Sequence, residues 1–266
     1  MSMKNLKEYL IESQNFLVNR KLKNRQKENE YFPANAAQLK HIIINLLEQG
    51  ITDLNCINTS KITDMSKLFY LVNKDVTVPK INISEWNVSN VTDMDYMFFD
   101  CKEFNADLSN WDVSNVEEMQ YMFHNCEKFK SDLSKWNVSN VKNTEAMFVG
   151  CEKFNSDLSN WNVSNIELMS YMFAMCKKFN SDLSRWDVSN VESMLGMFNR
   201  CEIFNSDLTK WNVSKVLDMQ RMFEDCKKFD YDLSAWDVDT DNCMINNMFN
   251  GCDILKQNNK IPTWYK

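Results

Sequence analysis

Apolar residues recur along this chain in a fixed order that restarts every 25 residues. In the unit that begins at Trp111 they are Trp111, Val113, Val116, Met119, Met122, Phe123, Cys126, Phe129 and Leu133, after which Trp136 opens the next copy. Trp86, Trp111, Trp136, Trp161, Trp186, Trp211 and Trp236 keep that interval, and so do the cysteines from Cys101 to Cys226. A period of this length is the signature of a repeat array in which each unit packs on its neighbours. Within a unit, Val91, Met94, Met97, Phe98 and Cys101 follow one helical face, with Ser89-Asn90 before them as an N-cap, which predicts a short helix. Trp111-Asp112-Val113 has period-2 spacing and predicts a short strand with Trp and Val pointing inward. The fold class expected is therefore an α/β repeat solenoid of leucine-rich-repeat type, with one short strand and one short helix per coil and a helical N-terminal cap.

The flanks divide the chain further. Residues 1–30 read as an amphipathic helix carrying Leu6, Tyr9, Leu10, Phe16 and Leu17, followed by a basic run from Arg20 to Lys27. Residues 31–56 read as a capping helix and lead-in, with Asn35 and Gln38 as a capping box, Leu39, Ile42, Ile43, Leu46 and Leu47 on one face and Gly50 as the stop. Residues 57–260 hold the array, one degenerate unit in which Ile57 takes the Trp place and then seven Trp-led units. Residues 261–266 read as a C-terminal cap strand, since Ile261-Pro262-Thr263-Trp264 repeats half a unit and Pro262 suits a terminal edge.

Charge narrows the function classes. The net charge is −7; residues 1–30 hold seven Lys/Arg against four Glu, so the remainder carries −10, which disfavours nucleic acid as a partner. No apolar run approaches the length of a membrane span, and the first twenty residues lack the uninterrupted apolar centre of a signal peptide. The location expected on that ground is cytoplasmic, with surface or virion association left open. The nine cysteines read as reduced, buried core thiols, because a repeat column with no C-x-x-C pair suits packing better than zinc. Two histidines, no phosphate-cradling glycine loop and no His beside the Ser columns give no catalytic residue, no cofactor and no metal site. The Asp column from Asp107 to Asp232 could hold calcium between coils, but an Asp in N-x-D-L-S is read first as an acceptor for its own turn.

The candidate chemistry lies in what varies. The position before each Trp changes freely, as Glu85, Asn110, Lys135, Asn160, Arg185 and Lys210; the position after it carries Asp112, Asp187 and Asp237 in three units. Both rows are expected to face outward from one sheet, where an extended polar ladder offers a protein partner a binding surface.

The run Asp107-Leu108-Ser109-Asn110-Trp111-Asp112-Val113-Ser114-Asn115-Val116, followed by Met119, Met122-Phe123 and Cys126, resembles the bacterial surface protein repeat of about 26 residues found in mycoplasmas and gut bacteria. That repeat is related to BspA-type leucine-rich repeats, and the resemblance covers about residues 51–265. It implies an interaction role, often at the cell surface, with no catalytic residues to carry over. The function expected is noncatalytic binding of an unidentified protein. The alternative is a structural component, of a cell surface or a phage particle, that self-assembles as a homo-oligomer or docks through its N-terminal helix.

Overall fold

The computed structural model describes residues 31–75, 78 and 80–265. The amphipathic helix and basic run read in residues 1–30 lie outside the described residues. The chain enters at Tyr31, whose backbone pairs in parallel with Ile57. Helix α1 (Ala36–Glu48) follows, because Asn35 in extended conformation accepts the N–H of Gln38 (3.0 Å) and Gln38 Oε1 in turn accepts the N–H of Ala34 (2.9 Å). It ends at Gly50 (φ +74°), where the N–H groups of Gly50 and Ile51 bond back to Leu47 and Leu46. Its face of Leu39, Ile43 and Leu46 is buried and continuous with the core of the units that follow. Helix α2 (Leu68–Asp75) belongs to the degenerate unit and packs on α1; α3 (Asp253–Gln257) follows the last unit. Among the described residues, no helix is long and apolar enough to cross a membrane.

From Trp86 onward the units lie side by side in parallel, and the apolar columns fuse into one core running from Leu39 to Leu255. The indoles stack with ring centroids 6.4–6.5 Å apart and nearly parallel planes. Each also donates its Nε1 hydrogen to a backbone carbonyl of the preceding unit, Trp136 to Leu108 and Trp161 to Leu133 among them. A buried indole N–H needs such a partner, so the Trp column both fills the core and registers one unit on the next. Cysteine does the same from the other side of the unit. Cys126, Cys151, Cys176, Cys201, Cys226 and Cys252 are free thiols whose Sγ donates to the carbonyls of Phe98, Phe123, Phe148, Phe173, Phe198 and Phe223. Burial pushes these thiols well above the usual value, so they stay protonated and able to donate. Where Thr144 replaces a methionine it is fully buried, and its hydroxyl is satisfied by the Leu168 carbonyl (3.1 Å).

Two local expectations differ from the structure. The segment read as a helix in each unit is a series of tight turns. Tyr121 and Asn125 have φ near +57°, as do Tyr96 and Asp100 one unit earlier, and a left-handed residue every fourth position stops an α-helix from closing. The apolar spacing misleads because i→i+3 turns, such as Met122 N–H to Met119 and Cys126 N–H to Phe123, bring the same positions inward as a helix does. Ser114 and Asn115 accordingly cap no helix; Asn115 donates its Nδ2 hydrogen to the Ser89 carbonyl of the preceding unit.

The parallel pairing also lies elsewhere. It falls seven residues after Trp, through Asp93, Glu118, Asn143, Leu168, Ser193 and Asp218, and eight after it at Met244 in the last unit, as isolated bridges, and none of these pairings includes the Trp-x-Val segment. From there the backbone alternates. In the Trp111 unit the N–H groups of Met119, Tyr121, Phe123 and Asn125 go forward to carbonyls of Asn143, Glu145, Met147 and Val149, while residues between them close turns within the unit. The donors that follow each bridge therefore face one end of the array, while the N–H groups just before it, such as Lys142 to Glu117 and Glu167 to Lys142, point back. The tail read as a cap strand is a turn (Tyr265 N–H to Pro262), although Trp264 still donates to Leu233 as the other indoles do.

Candidate partner-binding surface

The row before the tryptophans is exposed throughout, at Glu85, Asn110, Lys135, Asn160, Arg185 and Lys210. It stands on the turn between Leu and Trp rather than on a sheet. The Trp N–H closes that turn on the Leu carbonyl three residues earlier, as in Trp186 to Leu183, which leaves the side chain just before Trp projecting to solvent. The residue after Trp is exposed too, but it is occupied. Asp112 and Asp187 accept the N–H of Ser114 and Ser189 (3.1 Å each), and these seryl N–H and hydroxyl groups hold both carboxylates below their usual range. Asp237 is exposed in the last unit, where Asp239 takes over the turn by accepting from Asp241 and Asn242. The three aspartates are thus separated by units and do not converge.

The Asp column from Asp107 to Asp232 follows the same rule. Each carboxylate accepts the N–H of the residue two further on, at 2.9–3.0 Å, and its pKa is lowered by that Ser or Thr. This is the turn-capping role read from N-x-D-L-S.

Two members of the varied row do come together. Arg185 and Lys210 line one shallow groove of about 600 Å³ with Asn180, Asn205, Asp182, Asp207 and Tyr231. The groove exists because of a change in one column. Ser131, Ser156, Ser181 and Ser206 are buried and accept the N–H of the preceding unit's Leu108, Leu133, Leu158 and Leu183, whereas Tyr231 is too large for that place and remains half-buried as the far wall. The amide oxygens of Asn180 and Asn205 are taken by the N–H groups of Asn205 and Asp230, which leaves their amide hydrogens for a ligand. With two cations beside them, the groove is rich in donors.

Four basic residues elsewhere on the array are tied up in pairs. Lys102 pairs with Glu127, Lys142 with Glu117, Lys177 with Glu152 and Arg200 with Asp225, each across adjacent units. Among the described residues Lys135, Arg185 and Lys210 make no ion pair; Arg185 and Lys210 only add to the field on Asp182 and Asp207.

A second surface was not singled out from the sequence. Tyr70, Tyr96, Phe99, Tyr121 and His124, all half-buried, form a connected strip of rings along the ladder side of three successive units. The signal was present, since aromatic residues recur there at the 25-residue interval. It ends after His124, where Ala146 and Val149 take the corresponding places.

The profile of a family described as "Mycoplasma protein of unknown function, DUF285" matches residues 38–161 and again residues 143–264, so that together the two matches span most of the chain. The chain belongs to this family. Two overlapping matches in tandem accord with the repetition of bonds described above, and the family description assigns no activity. No curated protein matches the chain, and no solved structure does. What this member of the family does has to be argued from its exposed columns.

Proposed function

We propose that the protein is a noncatalytic binding solenoid, of the kind related to BspA-type leucine-rich repeats, which holds a protein partner along the varied row before its tryptophans. The contact is centred on the groove of Arg185 and Lys210 and reaches Lys135 two units earlier. One observation carries the reading: Arg185 and Lys210, which have no ion-pair partner among the described residues, line one groove with Asn180 and Asn205, whose amide hydrogens are not donated among the described residues. Unpaired cations beside free amide donors suit an acidic, extended segment of a partner, whose carboxylates they would steer and hold. The Asp or Asn after Trp, which accepts the N–H two residues on in the units from Trp86 to Trp211, keeps the turns in register and sets the spacing of the row.

The test is capture of the partner from lysate of the native host with the wild-type chain, with Lys135, Arg185 and Lys210 all changed to Glu, and with Lys102 and Lys177 changed to Glu as a charge control. The reading expects the partner to be lost from the triple variant and kept by the control. Equal recovery with the triple variant and the wild type would remove the row from the account.

A further inference from the structure

The aromatic strip differs from the Arg185–Lys210 row in columns, chemistry and sign of charge. Its rings stack across units, Tyr96 on Tyr121 at 4.7 Å and Phe99 on His124 at 4.6 Å, while Tyr70 meets Phe99 edge-on at 5.2 Å. In the first part of the strip the chain has already placed cations on the rings: Lys74 Nζ lies 4.3 Å from the centre of Tyr70 and Lys67 Nζ 5.7 Å from that of Tyr96. Over Tyr121 and His124 no such cation lies among the described residues. Carboxylates flank that part instead. Glu145 accepts the Tyr121 hydroxyl at 3.0 Å, Asp95 accepts both hydrogens offered by Gln120, and the charge of Asp100 acts on His124.

We infer that the strip from Tyr96 to His124 is a second docking surface, and that its occupant is a basic segment of a partner protein whose Lys or Arg side chains lie over the Tyr121 and His124 rings between the flanking carboxylates. Ring faces attract cations through their quadrupole, and Lys67 and Lys74 show the arrangement within the same strip. Half-buried tyrosines supply contact area at low entropic cost, which is why they concentrate binding energy at interfaces. Burial, together with other acidic groups nearby, raises Asp95 and Glu118 above the usual carboxylate range in spite of Lys67 and Lys142, and a further cation close to them would relieve that cost. The inference is independent of the acidic partner proposed for the row, since that partner would be repelled here.

The probe is a labelled octa-arginine peptide, titrated into the full chain and followed by fluorescence anisotropy, with octa-glutamate as the counter-probe. The variant is Tyr121→Ala with His124→Val, which copies Ala146 and Val149 of the next unit and so keeps the array's own solution at both places. It leaves the charge of the surface unchanged at pH 7.5, where burial keeps His124 neutral, so a change in affinity reports the rings rather than the overall acidity. The expected result is binding of octa-arginine alone, weakened at least tenfold in the double variant and retained when Arg185 and Lys210 are changed to Glu. Affinity unchanged in the double variant would overturn the inference. So would a tenfold gain when Lys21, Lys23 and Arg25 are changed to Gln in the full chain, because the chain's own basic run would then be the occupant.

Discussion

The middle units and the last unit are written in nearly the same residues, yet they are held differently. In the unit that begins at Trp186, the N–H groups of Met194, Gly196, Phe198 and Arg200 each reach a carbonyl of the following unit at 2.8–2.9 Å. The corresponding groups of the last unit, on Ile245, Asn247, Phe249 and Gly251, have no acceptor among the described residues. Exposed apolar residues also gather towards that end: Leu217 in the unit before the last and Met244 in the last are exposed, at 55% and 51%, where Glu192 and Asp218 stand one unit earlier. The difference shows that a unit's stability is borrowed. Its own bonds are mostly turns, while the ladder, the indole donors and the thiol donors all belong to pairs of units, so a unit with two neighbours is held about twice over and an end unit once.

The largest effect should come from the indoles. Trp161→Ala removes a buried ring and leaves the Leu133 carbonyl without its donor, which should cost about 3–5 kcal/mol in denaturant unfolding. Trp264→Ala removes a half-buried ring with the same bond at the open end, and about 1–2 kcal/mol is expected. Equal losses at the two sites would mean that position in the array does not matter.

A smaller effect is expected from the capping aspartates, and it should depend on pH. Asp132, Asp157 and Asp182 are held below the usual value of 3.8 by the N–H and hydroxyl groups of Ser134, Ser159 and Ser184. A depressed folded-state pKa adds stability that is present above the unfolded value and is lost as pH falls through the folded one. Changing all three to Asn keeps an acceptor of the kind Asn162 and Asn212 supply elsewhere, while removing the titration. Melting temperatures measured from pH 6 down to pH 2.5 should then fall less steeply for the variant than for the wild type, whereas Asp239→Asn in the last unit should change the slope less. Parallel curves for the triple variant and the wild type would contradict the assigned role.

Much of the fold was legible because the 25-residue period exposes its own core. Trp, Met, Phe, Cys and Leu columns are buried where the pattern placed them, and the Asp in N-x-D-L-S does cap its turn. The helix within each unit was misread for a physical reason. Apolar spacing reports which residues face inward, and successive i→i+3 turns give nearly the spacing of a helix. The residues that distinguish them are the left-handed positions: one column holds Asp100, Asn125, Gly150, Met175, Arg200, Asp225 and Gly251, while the other is mostly Tyr, Ala and Arg, with only Gly196 and Asn247 to mark it. Asn, Asp and Gly recurring in the first column were the available sign. Gly196 is further constrained because a Cβ would run into the Tyr171 ring. The pairing was placed at Trp-x-Val because alternation suggests a strand, but those backbone groups close turns and the ladder passes through the following segment.

The candidate site was partly legible. The row before each Trp was found because it varies, and Arg185 and Lys210 share a groove whose far wall is Tyr231, an exception in a Ser column. The aromatic strip was passed over because its columns vary from unit to unit and its rings matter only as a set across three of them.

The account rests on the forward bonds of the ladder between units, and amide hydrogen exchange followed by NMR tests them most directly. The amides of Met194, Gly196, Phe198 and Arg200 should be among the most protected in the chain, and those of Ile245, Asn247, Phe249 and Gly251 should exchange at least a hundredfold faster. Equal protection of the two sets, or fast exchange at Gly196 and Arg200, would contradict a structure held together by bonds from each unit to the next.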